Sequence, residues 1–172
     1  LIHTRLRSLE IMDRLRSSVM NHMEGFSVVY QPIVRSSDTK IAEAEALLRW
    51  SCKDMGSVSP LEFIPLLESS GLIIPVGKWV LEQSVRQCCK WLACVPDFVM
   101  NVNCSYLQML DEDFVQSVKE IINRYRLDPS HIVLELTESR FVTDQDRLND
   151  TFKRLRSLNI RLAMDDFGTG YS

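Results

Sequence analysis

Acids and amides punctuate stretches of this chain that are otherwise apolar. Gln31 lies in FSVVYQPIV, Glu45 and Arg49 in IAEAEALLRW, Asn103 in VMNVNC, Glu135 in IVLEL, and the Asp165-Asp166 pair follows RLAM. A carboxylate inside a buried strand is costly unless it is paired or bound to a cation. All-oxygen donor sets suit hard cations such as Mg²⁺ or Mn²⁺. Adjacent aspartates at a strand-to-loop corner suit bridging two ions, and two ions about 3.5–4 Å apart clamp a phosphodiester for in-line attack. Singly, each residue has an ordinary reading: Glu45 as an ion-paired strand residue, Asn103 as a turn-former, Asp165-Asp166 as a helix cap. Their equivalent places in successive segments tie them together. His3, His22 and His131 are scattered without an HExxH spacing, and the cysteines contain no CxxC pair, so metal chemistry rests on the carboxylates.

The elements that position these groups follow from periodicity. Residues 1–24 read as a helix, with Leu6, Leu9, Met12, Leu15, Val19 and Met23 recurring at steps of three and four. Such a helix packs on the domain, self-associates, or descends as a connector from an upstream domain. After Gly25 the pattern alternates. Strands are expected at Phe26–Val34, Ile41–Trp50, Val99–Cys104, Ile132–Leu136 and Arg161–Met164. Helices are expected from Ser59-Pro60 to Gly71, from Val76 to Ala93, from Asp111 to Tyr125 and from Asp144 to Leu158. The order β-α-β-α-β-α-β from the second strand on is the signal for parallel strands with crossover helices. An open doubly wound sheet fits that order, and so does a barrel cut short. In either, the chemistry belongs at the C-terminal strand ends. Side chains two apart share a face, so Glu43, Glu45, Leu47 and Arg49 point together, as do Asn101 with Asn103 and Glu135 with Thr137.

Composition narrows the class. The 172 residues are 45% hydrophobic and 25% charged, the proportions of a globular domain. A net charge of −3 advertises no nucleic-acid polymer or anionic membrane as partner. No apolar run approaches the roughly 20 residues of a membrane segment, although a longer parent protein can be membrane-tethered elsewhere. Five cysteines, an odd number, without a secretory segment favour reduced thiols and a cytoplasmic location.

Together the motifs resemble the EAL domain family of cyclic-di-GMP phosphodiesterases. The resemblance runs over 25–172. It rests on Tyr30-Gln31-Pro32-Ile33, on Glu45-Ala46-Leu47-Leu48-Arg49-Trp50, and on Ser59-Pro60 with Glu62-Phe63-Ile64-Pro65. Gly71-Leu72-Ile73, Gly77-Lys78-Trp79-Val80-Leu81, Asn103-Cys104-Ser105, Glu135-Leu136-Thr137-Glu138-Ser139 and Asp165-Asp166-Phe167-Gly168-Thr169-Gly170 continue it in order.

The resemblance implies a modified TIM-type (β/α)₈ barrel whose first strand runs against the rest, here reaching its fifth strand. It implies metal ligands at Glu45, Asn103, Glu135, Asp165 and Asp166, substrate contact at Gln31, and phosphate contact at Arg49. Glu138 matches a glutamate anchoring the loop that starts at Asp166, a loop tied to dimer contacts, so a homo-oligomer is expected. The implied reaction is Mg²⁺- or Mn²⁺-dependent hydrolysis of cyclic-di-GMP to linear pGpG in bacterial second-messenger signalling. Glu43 stands where the family often has a small residue. The family's later lysine, a downstream glutamate and a glutamine are not within these 172 residues. Weak turnover by this stretch alone is therefore expected, with a non-catalytic cyclic-di-GMP-binding or dimerisation module as the alternative.

Overall fold

The computed structural model describes residues 1–34, 37, 40–137 and 143–164. Helix α1 (Ile2–Met20) leads through turn residues His22 and Met23, both at positive φ, into an antiparallel pair, β1 (Phe26–Val34) and β2 (Ile41–Cys52). A short third strand, β3 (Gly56–Val58), folds back on the end of β2. Helices α2 (Pro60–Ser70) and α3 (Ile73–Leu92) lead to β4 (Val99–Cys104). Helices α4 (Tyr106–Leu110) and α5 (Phe114–Arg124) precede β5 (Ile132–Leu136), and α6 (Gln145–Ser157) precedes β6 (Arg161–Met164).

The sheet order is β1-β2-β4-β5-β6 with β3 on β2. β1 is antiparallel to β2, and the β2–β4, β4–β5 and β5–β6 pairs are parallel. The reversed first strand followed by parallel crossovers is the topology the motifs imply. Registers put Gln31 opposite Glu45, Asn103 opposite Glu135, and Glu135 opposite Ala163. Paired residues share a face of the sheet. One face therefore carries Gln31, Glu43, Glu45, Arg49, Asn101, Asn103 and Glu135. The other face is apolar. Ala44, Ala46, Trp50, Met100, Val102, Ile132 and Leu134 are buried there against Phe63, Leu67, Val76, Val80 and Val118 from the helices.

Local chemistry explains the boundaries. Ser59 caps α2, its Oγ accepting the Leu61 N–H at 3.2 Å, with Pro60 in the first turn. Gly71 closes α2 at φ 78°, the left-handed conformation that favours glycine. Helix α1 joins the same core through Ile11 and Leu15, and its buried Ser18 accepts the Trp50 indole N–H at 3.0 Å. No single helix among the described residues is long and apolar enough to cross a membrane. The apolar α2–α3 pair is bent by 120° and packs much of its surface into this core.

Two expectations need correction. The strand expected to end at Trp50 continues to Cys52 and returns as β3. The helix expected from Asp111 to Tyr125 is α5, which begins at Phe114, and a separate short helix, α4, precedes it. α4 starts where it does because Ser105 caps it: its Oγ accepts the Leu107 N–H at 3.3 Å, and Gln108 Oε1 accepts the Ser105 N–H at 2.9 Å. That reciprocal pair is a capping box. The backbone leaves helical geometry at Asp111, where ψ reaches 132°, and restarts at α5.

Candidate active site on the polar face of the sheet

Strand pairing brings the polar residues together without help from long loops. Glu45 lies beside Gln31 on the antiparallel side and beside Asn101 on the parallel side. Asn103, one two-residue step further along β4, reaches back across the strands. Its Nδ2 donates to Glu45 Oε1 at 2.9 Å. This bond turns the amide nitrogen toward the carboxylate. The carbonyl oxygen is then the group by which Asn103 can ligate a cation. Glu135 is the register partner of Asn103, completing a row of Gln31, Glu45, Asn103 and Glu135 over four strands.

Beyond this row, an open cleft of about 480 Å³ runs along the C-terminal ends of β2 and β4. Glu45, Arg49, Asn103, Ser105, Thr137 and Glu68 line it. Arg49 is exposed, with Nη1 donating to the Leu48 carbonyl at 3.2 Å. Glu68 and Gln108 are cleft residues that the periodicity did not single out. Glu68 is an acid near a helix end, a position that reads as solvated surface. Yet its Oε2 accepts the Ser105 hydroxyl at 3.3 Å, tying α2 to the end of β4. Gln108 escapes notice because periodicity assigns no helix to Tyr106–Leu110.

The thiols beside the site are packing groups. Cys104 follows Asn103 and faces the core. Burial, with the charge of Glu135 as a second cause, pushes its pKa up to about 12. Burial likewise raises Cys88 to about 12. Neither supplies a thiolate at neutral pH.

Of the site residues expected from sequence, the structure places Gln31, Glu45, Arg49, Asn103 and Glu135 on one face. Asp165, Asp166 and Glu138 lie outside the described residues, as does Gly168-Thr169-Gly170. Among the described residues, no three His, Cys, Asp or Glu side chains cluster as a metal site. Of the donors on the face, Glu45, Glu135 and Asn103 offer two carboxylates and an amide oxygen. That set matches a hard divalent cation in kind, and further oxygen donors would be needed to complete its shell.

The sequence profile described as EAL domain matches residues 12–172. Among curated proteins, the chain is 40% identical over 144 residues to the bifunctional diguanylate cyclase/cyclic di-GMP phosphodiesterase MucR of Pseudomonas aeruginosa. That alignment covers 83% of this chain and 21% of MucR. Against the cyclic di-GMP phosphodiesterase PdeR of Escherichia coli, identity is 34% over 143 residues, covering 83% of this chain and 22% of PdeR. The chain thus spans about a fifth of the length of these curated relatives. Among solved structures, the PaMucR phosphodiesterase in complex with c-di-GMP superposes with a TM-score of 0.83 at 36% identity. The superposition covers 95% of this chain and 66% of that one. With the reversed first strand, the row of oxygen donors and the Glu45-Ala46-Leu47 triplet all in place, this chain belongs to the EAL domain family.

Proposed function

We propose that this chain is part of a cyclic-di-GMP phosphodiesterase that opens the cyclic dinucleotide to linear pGpG. Water adds to one phosphorus while one ester bond at that phosphorus breaks, leaving a chain with two ends. The observation that carries the reading is the 2.9 Å bond from Asn103 Nδ2 to Glu45 Oε1, on a face shared with Gln31 and Glu135.

In this reading Glu45, Asn103 and Glu135, with Asp165 and Asp166, hold Mg²⁺ or Mn²⁺. Bound there, the ions neutralise charge on the phosphoryl oxygens and make water easier to deprotonate. Gln31, beside Glu45, positions the substrate. Arg49, further along the same face, pairs with a phosphate through its planar fork of donors. Glu138 anchors the loop after β6. The parent protein acts in second-messenger signalling in the cytoplasm, as a homo-oligomer, with residues 1–24 as the connector to an upstream domain.

A protein of these 172 residues is expected to bind cyclic-di-GMP more readily than it turns it over. The lysine that the family resemblance places near the attacking water is not among them. The test is product analysis with Mn²⁺. Slow, metal-dependent formation of pGpG that is lost in Glu45→Gln supports the phosphodiesterase. Tight binding without product identifies the binding module instead. Neither binding nor product contradicts both readings.

A further inference from the structure

Strand β4 loses one of its two backbone partners where its polar residues begin to work. Its pairing with β2 ends at Ala46 and Val102, whereas its pairing with β5 runs on through Asn103 and Cys104. Asn103 therefore reaches Glu45 from one residue beyond the last β2–β4 pair, at the mouth of the cleft. A strand end with a single ladder opens more readily than one held on both sides.

Two residues beyond Asn103, Ser105 is held by two helices. Its backbone is still extended, at φ −73° and ψ 145°, so its side chain falls on the same side as that of Asn103. The Ser105 N–H donates to Gln108 Oε1 at 2.9 Å. A hydroxyl can donate once and accept as well. That of Ser105 accepts the Leu107 N–H and donates to Glu68 Oε2, each at 3.3 Å. Both partners stand on fixed supports. Glu68 follows the fully buried Leu67 in α2, and the buried Gln108 lodges where a Cβ on Gly77 would lie. Among the described residues, Ser105 is the one side-chain partner of the Glu68 carboxylate.

We infer that Glu68 is a positioning residue for Asn103. Through the Ser105 hydroxyl it sets the end of β4, and so the place from which Asn103 donates to Glu45 and presents its carbonyl oxygen. The consequence for cation binding rests on the reading of Glu45, Asn103 and Glu135 as ligands. Glu68 acts here by accepting a hydrogen bond and not by its charge. A glutamine, of the same length and with a carbonyl oxygen, can replace it. The 3.3 Å contact is long for a hydroxyl–carboxylate bond. Its loss therefore bears on the placement of Asn103 and little on the stability of the fold.

Nitrogen-15 NMR of the Asn103 side-chain amide in the metal-free 172-residue protein reads that placement directly. Glu68→Ala should make its solvent exchange at least about threefold faster, since the bond to Glu45 then opens more often. Glu68→Gln should leave it as in the wild type. Mn²⁺ affinity, read from the electron paramagnetic resonance signal of the free ion, should fall about tenfold in Glu68→Ala, as when an outer partner of a ligand is lost. It should return in Glu68→Gln. The urea midpoint should barely move in either variant, because Ala and Gln both suit a helix. In a Ser105→Ala background, Glu68→Ala should change neither readout further, because the hydroxyl through which it acts is gone. An Asn103 amide indifferent to Glu68→Ala would overturn the inference. So would equal damage by Glu68→Gln, which would make charge the active feature, or additive effects of Glu68→Ala and Ser105→Ala. A wild type that binds no Mn²⁺ would instead overturn the reading of the face as a cation site, and amide exchange alone would then decide whether Glu68 holds Asn103.

Discussion

Glu45 and Asn103 are 58 positions apart in the chain and 2.9 Å apart in space, and their bond depends on register alone. A slip of one residue in β4 would turn Asn103 into the core and Met100 onto the polar face. These residues were legible from sequence because each breaks an apolar run at a corresponding place in its strand. Glu68 was not, since nothing local separates an acid that accepts a buried-end hydroxyl from one that faces water. The cysteines give a direct check at this scale. Cys94 is exposed, whereas Cys88 and Cys104 are buried with thiols raised to about 12. In the native protein, alkylation at pH 8 followed by mass spectrometry should label Cys94 first and leave Cys88 and Cys104 unmodified until unfolding. Early labelling of Cys104 would mean that the end of β4 opens readily.

Gly77 shows how one missing side chain positions an element. A Cβ on Gly77 would lie 1.9 Å from Gln108 Nε2, so the Gln108 amide occupies a notch in α3 while its Oε1 holds the Ser105 N–H. Ala in place of a helical Gly ordinarily gains about 1 kcal/mol. Here that gain is opposed by overpacking of about 1–3 kcal/mol and a lost hydrogen bond of about 1 kcal/mol. Gly77→Ala should therefore destabilise by about 1–3 kcal/mol in urea titration. In a Gln108→Ala background the same change should stabilise. Two additive, same-sign effects would show that the notch is not what Gly77 provides.

The first helix gives a second test at this scale. The hydrogen bond from Arg7, with its charge, holds the exposed Glu62 carboxyl below its ordinary value of 4.5. A carboxylate depressed by folding contributes stability above its unfolded pKa and loses it as pH falls through the folded value. At pH 7 the contact is therefore intact, and Glu62→Gln should reproduce its loss. Trypsin should then cut faster after Arg5 and Arg7 in that variant, while thermal unfolding of the whole domain barely moves. Equal cleavage rates would show that packing alone docks this end of α1.

Alternation and β-branched residues made β4, β5 and β6 legible to the residue. β3 was not, because three residues of Gly-Ser-Val carry no pattern until β2 offers them an edge. Helix α4 was missed for a related reason: it has only five residues, and Ser105 reads as the end of a strand until its capping partner Gln108 is known.

At the scale of the molecule, helices cover the apolar face of a sheet that has six strands among the described residues, and the other face carries the polar row. The sheet is an arc of the TIM-like barrel that EAL domains adopt, and its superposition on the PaMucR complex extends over 95% of the chain. The motifs made that likeness readable before any coordinates. Spacing alone left an open sheet and a barrel equally plausible, because both begin with the same crossover. The central claim is that the face bearing Glu45, Asn103 and Glu135 takes cyclic-di-GMP with the help of a divalent cation. Calorimetric titration of cyclic-di-GMP into the 172-residue protein, with and without Mn²⁺, tests it most directly. The expected result is saturable binding that tightens with Mn²⁺ and weakens at least about tenfold in Glu45→Ala, the loss of about 1.4 kcal/mol or more. Binding that is indifferent to both Mn²⁺ and Glu45→Ala, or no binding at all, would contradict it.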